Sequence, residues 1–255
     1  ARCLAYLFKD QTILVNKRKK DVSPTYPELA NLHEHIKAPC ILDGELVVMV
    51  NGKPNFYQLQ KRALLTDTFK IKLLQDKSPV TFIAYDILYC NEQLLIDKTL
   101  IERKQILKEN INEGSRLVIS RYIEEKGKAF FKIAEEQALE GIVAKEKQSK
   151  YYPGKRSRVW LKMKVYEEDD LVICGYVPGQ YGMKDVIFGA FDEDNKLYKI
   201  ATIMTNKDKK IIIDYAATNP SKPLFDTSNE EVIWMKPYLV GTVKYMMKTN
   251  SGGLR

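Results

Sequence analysis

The sequence predicts an α+β chain, with an antiparallel sheet covered by helices and then a small β-barrel. Three observations carry this. Short apolar runs bounded by turn residues recur throughout, without the regular alternation with helices that a parallel sheet needs. Helical patterns fall mainly in the first two thirds, whereas five strand-like runs with a single helix fill the rest. At 255 residues the chain also exceeds the ~100–200 of one domain, so a large domain followed by a small one is expected.

Taken in order, residues 4–8 and 12–16 read as a hairpin about Lys9-Asp10-Gln11, and a helix is expected after Pro27 with His33 and His35 on it. The run 40–50 continues through Asn51-Gly52, the strongest short hairpin signal in the chain. A helix covers 57–65 and a strand 80–88; a helix then runs 100–110, with Thr99 and Glu102 at capping-box spacing. Strands at 117–122 and 141–145 flank a helix over 126–139. Glu167-Glu168-Asp169-Asp170 is a polar link, which sets the domains at 1–166 and 167–255. Beyond it, strands near 171–177, 186–192, 196–203, 231–234 and 240–247, with one helix over 207–217, suit a small barrel.

Composition narrows the class. Hydrophobic content of 45% and charged content of 29% are globular averages and argue against disorder. No apolar run approaches the ~20 residues that span a bilayer, so no membrane role is expected, and without a signal peptide the expected location is cytoplasmic. Cys3, Cys40, Cys90 and Cys174 have no paired spacing and read as reduced core thiols. His33 and His35 stand two apart, the wrong spacing for one helix face, so they are not expected to bind metal. A net charge of +8 favours an anionic partner, nucleic acid before membrane.

The charge is concentrated. From Lys145 to Lys164 eight basic residues stand against the single acid Glu146. On a strand Lys162 and Lys164 share one side while Leu161 and Met163 take the other. Asp43 and Glu45 likewise share a strand face, with Gly44 allowing close approach of a ligand or a neighbouring backbone. Alone, each has a bland reading: a solvated basic face, a surface ion pair, and for Tyr85 a core aromatic.

Four segments in order change the weighting: Leu42-Asp43-Gly44-Glu45-Leu46, Tyr85-Asp86-Ile87-Leu88, Glu140-Gly141-Ile142-Val143-Ala144-Lys145 and Trp160-Leu161-Lys162-Met163-Lys164. They resemble motifs III, IIIa, IV and V of the ATP-dependent DNA ligase family. The block Asn16-Lys17-Arg18-Lys19-Lys20-Asp21-Val22, followed by Tyr26-Pro27-Glu28-Leu29, is similar to bacterial end-joining ligase domains. The resemblance spans essentially the whole chain. It implies a nucleotidyltransferase (ATP-grasp-like) adenylation domain over 1–166 and an OB-fold domain over 167–255.

The resemblance also implies roles. Glu140 becomes the catalytic, metal-associated carboxylate, and Glu45 lies by the ribose and assists the metal. Tyr85 stands where the family most often stacks a phenylalanine on adenine. Arg2 ends the first motif and contacts the nucleotide; Arg18 fits the next arginine motif, with Lys17 one residue away as the alternative. Arg156 and Lys162 surround ATP, and Lys162 and Lys164 hold the α-phosphate during chemistry. Lys147, Lys150, Lys155 and Arg158 are left for DNA backbone phosphates.

ATP and Mg²⁺ are the implied cofactors, and nicked or broken double-stranded DNA is the implied partner. A Ku-like end-binding protein, a monomeric state and a nucleoid-associated place in the bacterial cytoplasm complete the expectation. The first motif, Lys-x-Asp-Gly-x-Arg, supplies the lysine that takes AMP and would end at Arg2; the last motif would begin near Ser251-Gly252-Gly253-Leu254-Arg255. The sequence is therefore read as trimmed at both ends, with the nucleophile upstream. An RNA ligase, a capping-type guanylyltransferase and a non-catalytic nick-binding module remain as alternatives.

Overall fold

The computed structural model describes residues 1–155, 157–180, 182–205, 207–226, 231–246, 248–249 and 252–254. β1 (Arg2–Leu7) and β2 (Thr12–Asn16) form the expected first hairpin. The helix expected after Pro27 is replaced by 3-10 turns at Ser23–Thr25, Pro27–Leu29 and Leu32–His35. Leu29 and Leu32 both reach the core, but from separate turns: Asn31 between them leaves helical geometry at φ −102° and ψ 21°, so the backbone does not run on as one helix. His33 and His35 therefore sit on a turn, where His33 Nδ1 meets the Thr12 hydroxyl at 3.1 Å.

β3 (Cys40–Val50) turns through Asn51 and Gly52, both at positive φ (50° and 76°), into the short β4 (Lys53–Pro54). The primed turn that Asn-Gly favours is thus formed. α1 (Phe56–Ala63) starts at Asn55, whose side chain accepts from the Gln58 N–H. α2 (Thr68–Lys77) was not expected from the sequence; Asp67 caps it, but its Phe69 and Leu73 are exposed, so no buried stripe announced it. β5 (Val80–Cys90) and β6 (Gln93–Leu94) follow, then α3 (Leu100–Asn110) with the Thr99–Glu102 capping box formed in both directions. β7 (Leu117–Ile119), α4 (Gly127–Glu136), β8 (Gly141–Lys145) and β9 (Trp160–Lys164) come next. The first sheet has the order β2-β1-β3-β5-β6, with β4 on β3 and β7 on β5; every pairing is antiparallel except β5 with β7. β8 and β9 pair with each other.

β10 (Glu167–Gly179), β11 (Gly182–Phe191), β12 (Leu197–Met204), α5 (Lys209–Thr218), β13 (Ile233–Trp234) and β14 (Val240–Tyr245) complete the chain. Their sheet runs β12-β11-β10-β13, with β14 also on β10. The acidic stretch 167–170, expected as a link, is the first part of β10. Cations and hydroxyls on β14 explain it: Lys244 pairs with Glu168 at 2.6 Å, and the Thr242 and Tyr245 hydroxyls donate to Asp170 and Asp169 at 2.7 and 3.0 Å. Cross-strand charge pairing outweighs the low strand preference of acidic residues.

The chain divides into two compact units, Ala1–Gly127 with Val143–Lys162, and Lys128–Ile142 with Met163–Arg255. The first has a core centred on Leu42, Phe82, Ile87 and Leu107; the second packs Val186, Ile212, Met235 and Val243. Among the described residues no helix is long and apolar enough to cross a membrane.

Candidate functional site

β3 sends Cys40, Leu42, Leu46 and Val48 into the core, each 3% exposed or less. Gly44 lies on the same face, where a Cβ would stand 2.4 Å from the Phe82 ring and 2.6 Å from the Ile83 carbonyl oxygen, so a core side chain and the neighbouring backbone of β5 together require glycine. Asp43 and Glu45 consequently take the opposite face. β5 matches this pattern through Val80, Phe82 and Ala84, and then the register slips. Asp43 faces Asp86 while Gly44 faces Ala84, so Tyr85 is the extra residue of a β-bulge. Such a bulge re-aims side chains locally: the Tyr85 hydroxyl reaches Asp43, and Asp86 turns inward to zero exposure.

Asp43 is itself fully buried, and its carboxylate accepts four hydrogen bonds. Oδ1 takes Arg2 Nε at 3.0 Å and the Tyr85 hydroxyl at 2.9 Å; Oδ2 takes Arg2 Nη2 at 2.7 Å and the Tyr151 hydroxyl at 2.8 Å. A carboxylate offers about four lone-pair sites, so Asp43 has none left for a ligand or metal. The hydrogen bond to Asp43 holds the Arg2 guanidinium charged more firmly than usual. Burial, reinforced by the Asp43 charge, pushes the Tyr85 and Tyr151 hydroxyls upward, so both stay protonated donors.

A second buried carboxylate lies directly behind. Arg103 from α3 forks onto Asp86, Nε to Oδ1 and Nη2 to Oδ2, both at 2.8 Å, and both residues have zero exposure. Its Nη1 donates to the carbonyls of Lys98 at 2.6 Å and Ser149 at 3.2 Å. The segment after β8 is thereby seated against the start of α3, helped by Ile101 N–H to the Lys147 carbonyl and Tyr151 N–H to the Ile96 carbonyl. Tyr151 is held edge-on to Trp160 at 5.8 Å, with the Arg103 guanidinium 5.8 Å from its ring centre. Trp160 also meets Tyr85 edge-on at 6.4 Å. The Lys145 ammonium stands 3.9 Å from the Trp160 ring centre and 4.6 Å from that of Tyr85, and burial lowers its pKa to about 8. The result is a desolvated cation, two aromatic rings and a clamped guanidinium, a set suited to a flat ring carrying phosphate.

Of the residues singled out from the sequence, the structure joins Arg2 and Tyr85 through Asp43. Glu45, half-exposed, stands opposite Arg2 in the β1–β3 register and pairs with the Ala1 amino group at 2.9 Å. Arg18 lies in the exposed turn after β2, its backbone N–H held by Asn16 Oδ1. Arg156 falls outside the described residues. Lys162 is exposed in the first unit; Glu140 and Lys164 belong to the second, 3.9 Å apart, where Lys164 Nζ also approaches Met246 Sδ at 3.1 Å. Leu161 and Met163, on the other side of β9, are 55% and 42% exposed, so neither face of that strand is a core face. Lys147 pairs with Glu124 at 3.2 Å and Lys150 with Asp97 at 3.0 Å, while Lys155 and Arg158 are exposed.

Sequence reasoning missed Asp86, Arg103 and Tyr151 as members of this cluster. Asp86 directly follows Tyr85 and could have been suspected; nothing local marks Arg103 or Tyr151, whose importance lies in contacts 17 and 108 residues away. Among the described residues no three His, Cys, Asp or Glu side chains gather as a ready-made metal site.

Comparison with known proteins identifies the family. The family model of the ATP dependent DNA ligase domain matches residues 1–164. The multifunctional non-homologous end joining protein LigD of Mycolicibacterium smegmatis is 29% identical over 255 residues, covering 92% of this chain and 31% of that protein. The SPbeta prophage-derived DNA ligase-like protein LigB of Bacillus subtilis is 27% identical over 257 residues, covering 100% of this chain and 86% of that one. The crystal structure of the ligase domain of M. tuberculosis LigD shares the fold, with TM-score 0.58 and 24% identity over 100% of this chain and 83% of that domain. The chain thus spans under a third of the mycobacterial end-joining protein that it matches. The family match takes in every residue around Asp43, from Arg2 to Trp160, and the chain belongs to the ATP-dependent DNA ligase domain family.

Proposed function

We propose that this chain is the catalytic core of an ATP-dependent DNA ligase, sealing nicked or broken double-stranded DNA through a lysyl-AMP intermediate. The observation that carries this reading is the Arg2 guanidinium. Three of its five N–H groups are committed to Asp43 and Tyr151, and Nη1, with its two, has no partner among the described residues. That edge belongs to the same cluster as Tyr85, Trp160 and Lys145. In this reading Tyr85 stacks on adenine, Arg2 Nη1 meets ribose or phosphate, and Lys145 answers phosphate charge.

The remaining assignments follow the family. Residues 1–166 form the adenylation domain and 167–255 an OB-fold. Arg18, Arg156 and Lys162 join the nucleotide contacts, and Lys162 and Lys164 stabilise charge at the α-phosphate. Mg²⁺ would neutralise charge on the phosphates, binding through carboxylate and phosphate oxygens; the family resemblance assigns Glu140 to it, with Glu45 assisting. Lys147, Lys150, Lys155 and Arg158 meet DNA phosphates, since the surface pairs of Lys147 and Lys150 exchange readily in water. The intact protein acts as a monomer on nucleoid DNA in a bacterial cytoplasm, recruited by a Ku-like end-binding protein in DNA repair.

Titration calorimetry with ATP and GTP tests the site directly: this chain should bind ATP in preference to GTP and gain no acid-resistant label from labelled ATP with Mg²⁺. Protein carrying Lys-x-Asp-Gly ahead of Arg2 should become labelled, and Glu140→Ala in it should slow nick sealing by roughly 10²-fold. GTP preference would favour the capping-type enzyme, and undiminished sealing by Glu140→Ala would remove the metal role.

A further inference from the structure

We propose that Tyr151 is a positioning residue for the nucleotide, acting through Arg2; this rests on the nucleotide reading above. Arg2 Nη2 carries two hydrogens. One goes to Asp43 Oδ2 at 2.7 Å and the other to the Tyr151 hydroxyl at 2.7 Å, which itself donates to the same Oδ2 at 2.8 Å. The hydroxyl therefore closes a three-membered ring of hydrogen bonds that consumes the Nη2 edge and leaves Nη1 as the one edge for a ligand. Asp43 alone fixes the guanidinium by a fork along one side; Tyr151 adds the third point and takes up the hydrogen that would otherwise compete for ligand or water. The phenol ring is held independently by Trp160 and Arg103, and its backbone by the N–H bond to the Ile96 carbonyl, so removing the hydroxyl leaves the ring in place.

Tyr151→Phe should weaken ATP binding to the whole chain about tenfold or more in calorimetry, the effect of one hydrogen bond to a charged group. Its thermal midpoint should fall no further than that of Tyr85→Phe, which removes the other phenolic bond to Asp43. In ligase carrying the upstream lysine motif, KM for ATP should rise with little change in kcat. Tyr85→Phe, which removes the other phenolic donor but touches no Arg2 hydrogen, should weaken ATP far less. Equal ATP affinity in Tyr151→Phe and wild type overturns the proposal, as does a variant whose only change is a lower midpoint. Wild type that binds no ATP overturns both this and the nucleotide reading, whereas wild-type binding with an unaffected variant sinks Tyr151 alone.

A separate observation concerns two cysteines whose spacing in the sequence suggests no pairing. Cys40 and Cys90 are direct partners across β3 and β5, and the Asn91 N–H donates to the Pro39 carbonyl at 3.0 Å just outside them. That bond makes Cys40–Cys90 a non-hydrogen-bonded pair, the closer kind, with Cα atoms ~4.5 Å apart and within disulfide reach. We infer that the pair is an oxidisable site, entered at the half-buried Cys90 because Cys40 is buried. The Cys90 thiolate attacks a low-molecular-weight disulfide and releases one small thiol; the Cys40 thiolate then attacks Cys90 Sγ and releases the second. Two protein thiols are oxidised and one small disulfide reduced. After incubation of the chain with oxidised glutathione at pH 8, denaturing alkylation and peptide mapping should find a 40–90 cross-link with Cys3 and Cys174 still alkylated. Four alkylated thiols, or glutathione retained on Cys90, would overturn it.

Discussion

Tyr85 and Asp43 meet across a β-bulge, the tyrosine hydroxyl donating to Oδ1 at 2.9 Å. The bulge leaves Tyr85 without a partner on β3, so its ring is set by the Asp43 bond and by Trp160 rather than by the ladder. Tyr85→Phe should thus cost only about 1 kcal/mol of stability and little ATP affinity, because the stacking surface survives. Tyr85→Ala should lose ATP binding by tenfold or more. Urea unfolding and calorimetry separate the two effects; equal losses of affinity would mean that the hydroxyl, not the ring, meets the nucleotide.

Asp86→Asn should be far more damaging. It leaves the fully buried Arg103 charge without its partner, and breaking one side of a buried pair costs ~3–5 kcal/mol. Against a total stability of ~5–15 kcal/mol that is a large share, so the urea midpoint should fall well below that of wild type. A urea midpoint within error of wild type would show that Arg103 finds another counter-charge.

Lys145 gives a pH signature. Its folded pKa of about 8 lies below the ~10.4 of an unfolded lysine, so between those values the unfolded chain holds a proton that the folded chain does not. Stability contributed by this group therefore rises with pH from about 8 to ~10.4, and its cost is fully present below 8. Lys145→Met should raise the thermal midpoint at pH 7, lose that advantage near pH 10.5, and weaken ATP binding at both. A lower midpoint at pH 7 would indicate that the two rings more than repay desolvation.

Gly141 should tolerate no side chain. It sits at φ +139°, and a Cβ there would lie 2.1 Å from the Met163 carbonyl oxygen and 2.8 Å from the Lys164 Cα. Both neighbours are backbone, so nothing can rotate away. Gly141→Ala should separate β8 from β9 and abolish nick sealing in enzyme carrying the upstream motif, with altered circular dichroism or accelerated proteolysis near 140–165. A folded, active alanine variant would refute the clash.

Replacing Lys155 and Arg158 by glutamine should weaken nicked-duplex binding with little sequence preference. The slope of log affinity against log salt should flatten by about 0.9 for each DNA phosphate no longer neutralised, while ATP binding is unaffected. An unchanged slope would mark the stretch as a solvated face.

Local signals in the sequence determined much of the fold. The Asn51-Gly52 turn, the Thr99–Glu102 capping box and strand 141–145 stand where spacing and turn chemistry put them, because each depends on residues within a few positions of one another. The ordered segments around Asp43, Tyr85, Glu140 and Trp160 were likewise enough to identify the family. Tertiary structure decided the rest. Consecutive 3-10 turns stand where a helix was expected after Pro27: the backbone leaves helical geometry at Asn31, while Leu29 and Leu32 on either side of it both reach the core. The acids at 167–170 became strand because cations and hydroxyls some 75 residues later lie beside them. The bulge at Tyr85 turned one of two adjacent polar residues toward Asp43 and the other toward Arg103, and no alternation pattern in β5 announces that slip. The saturated carboxylate of Asp43 draws its donors from residues 2, 85 and 151, so it exists only once the chain has folded, because a hydrogen bond between distant residues leaves no periodicity in the sequence between them.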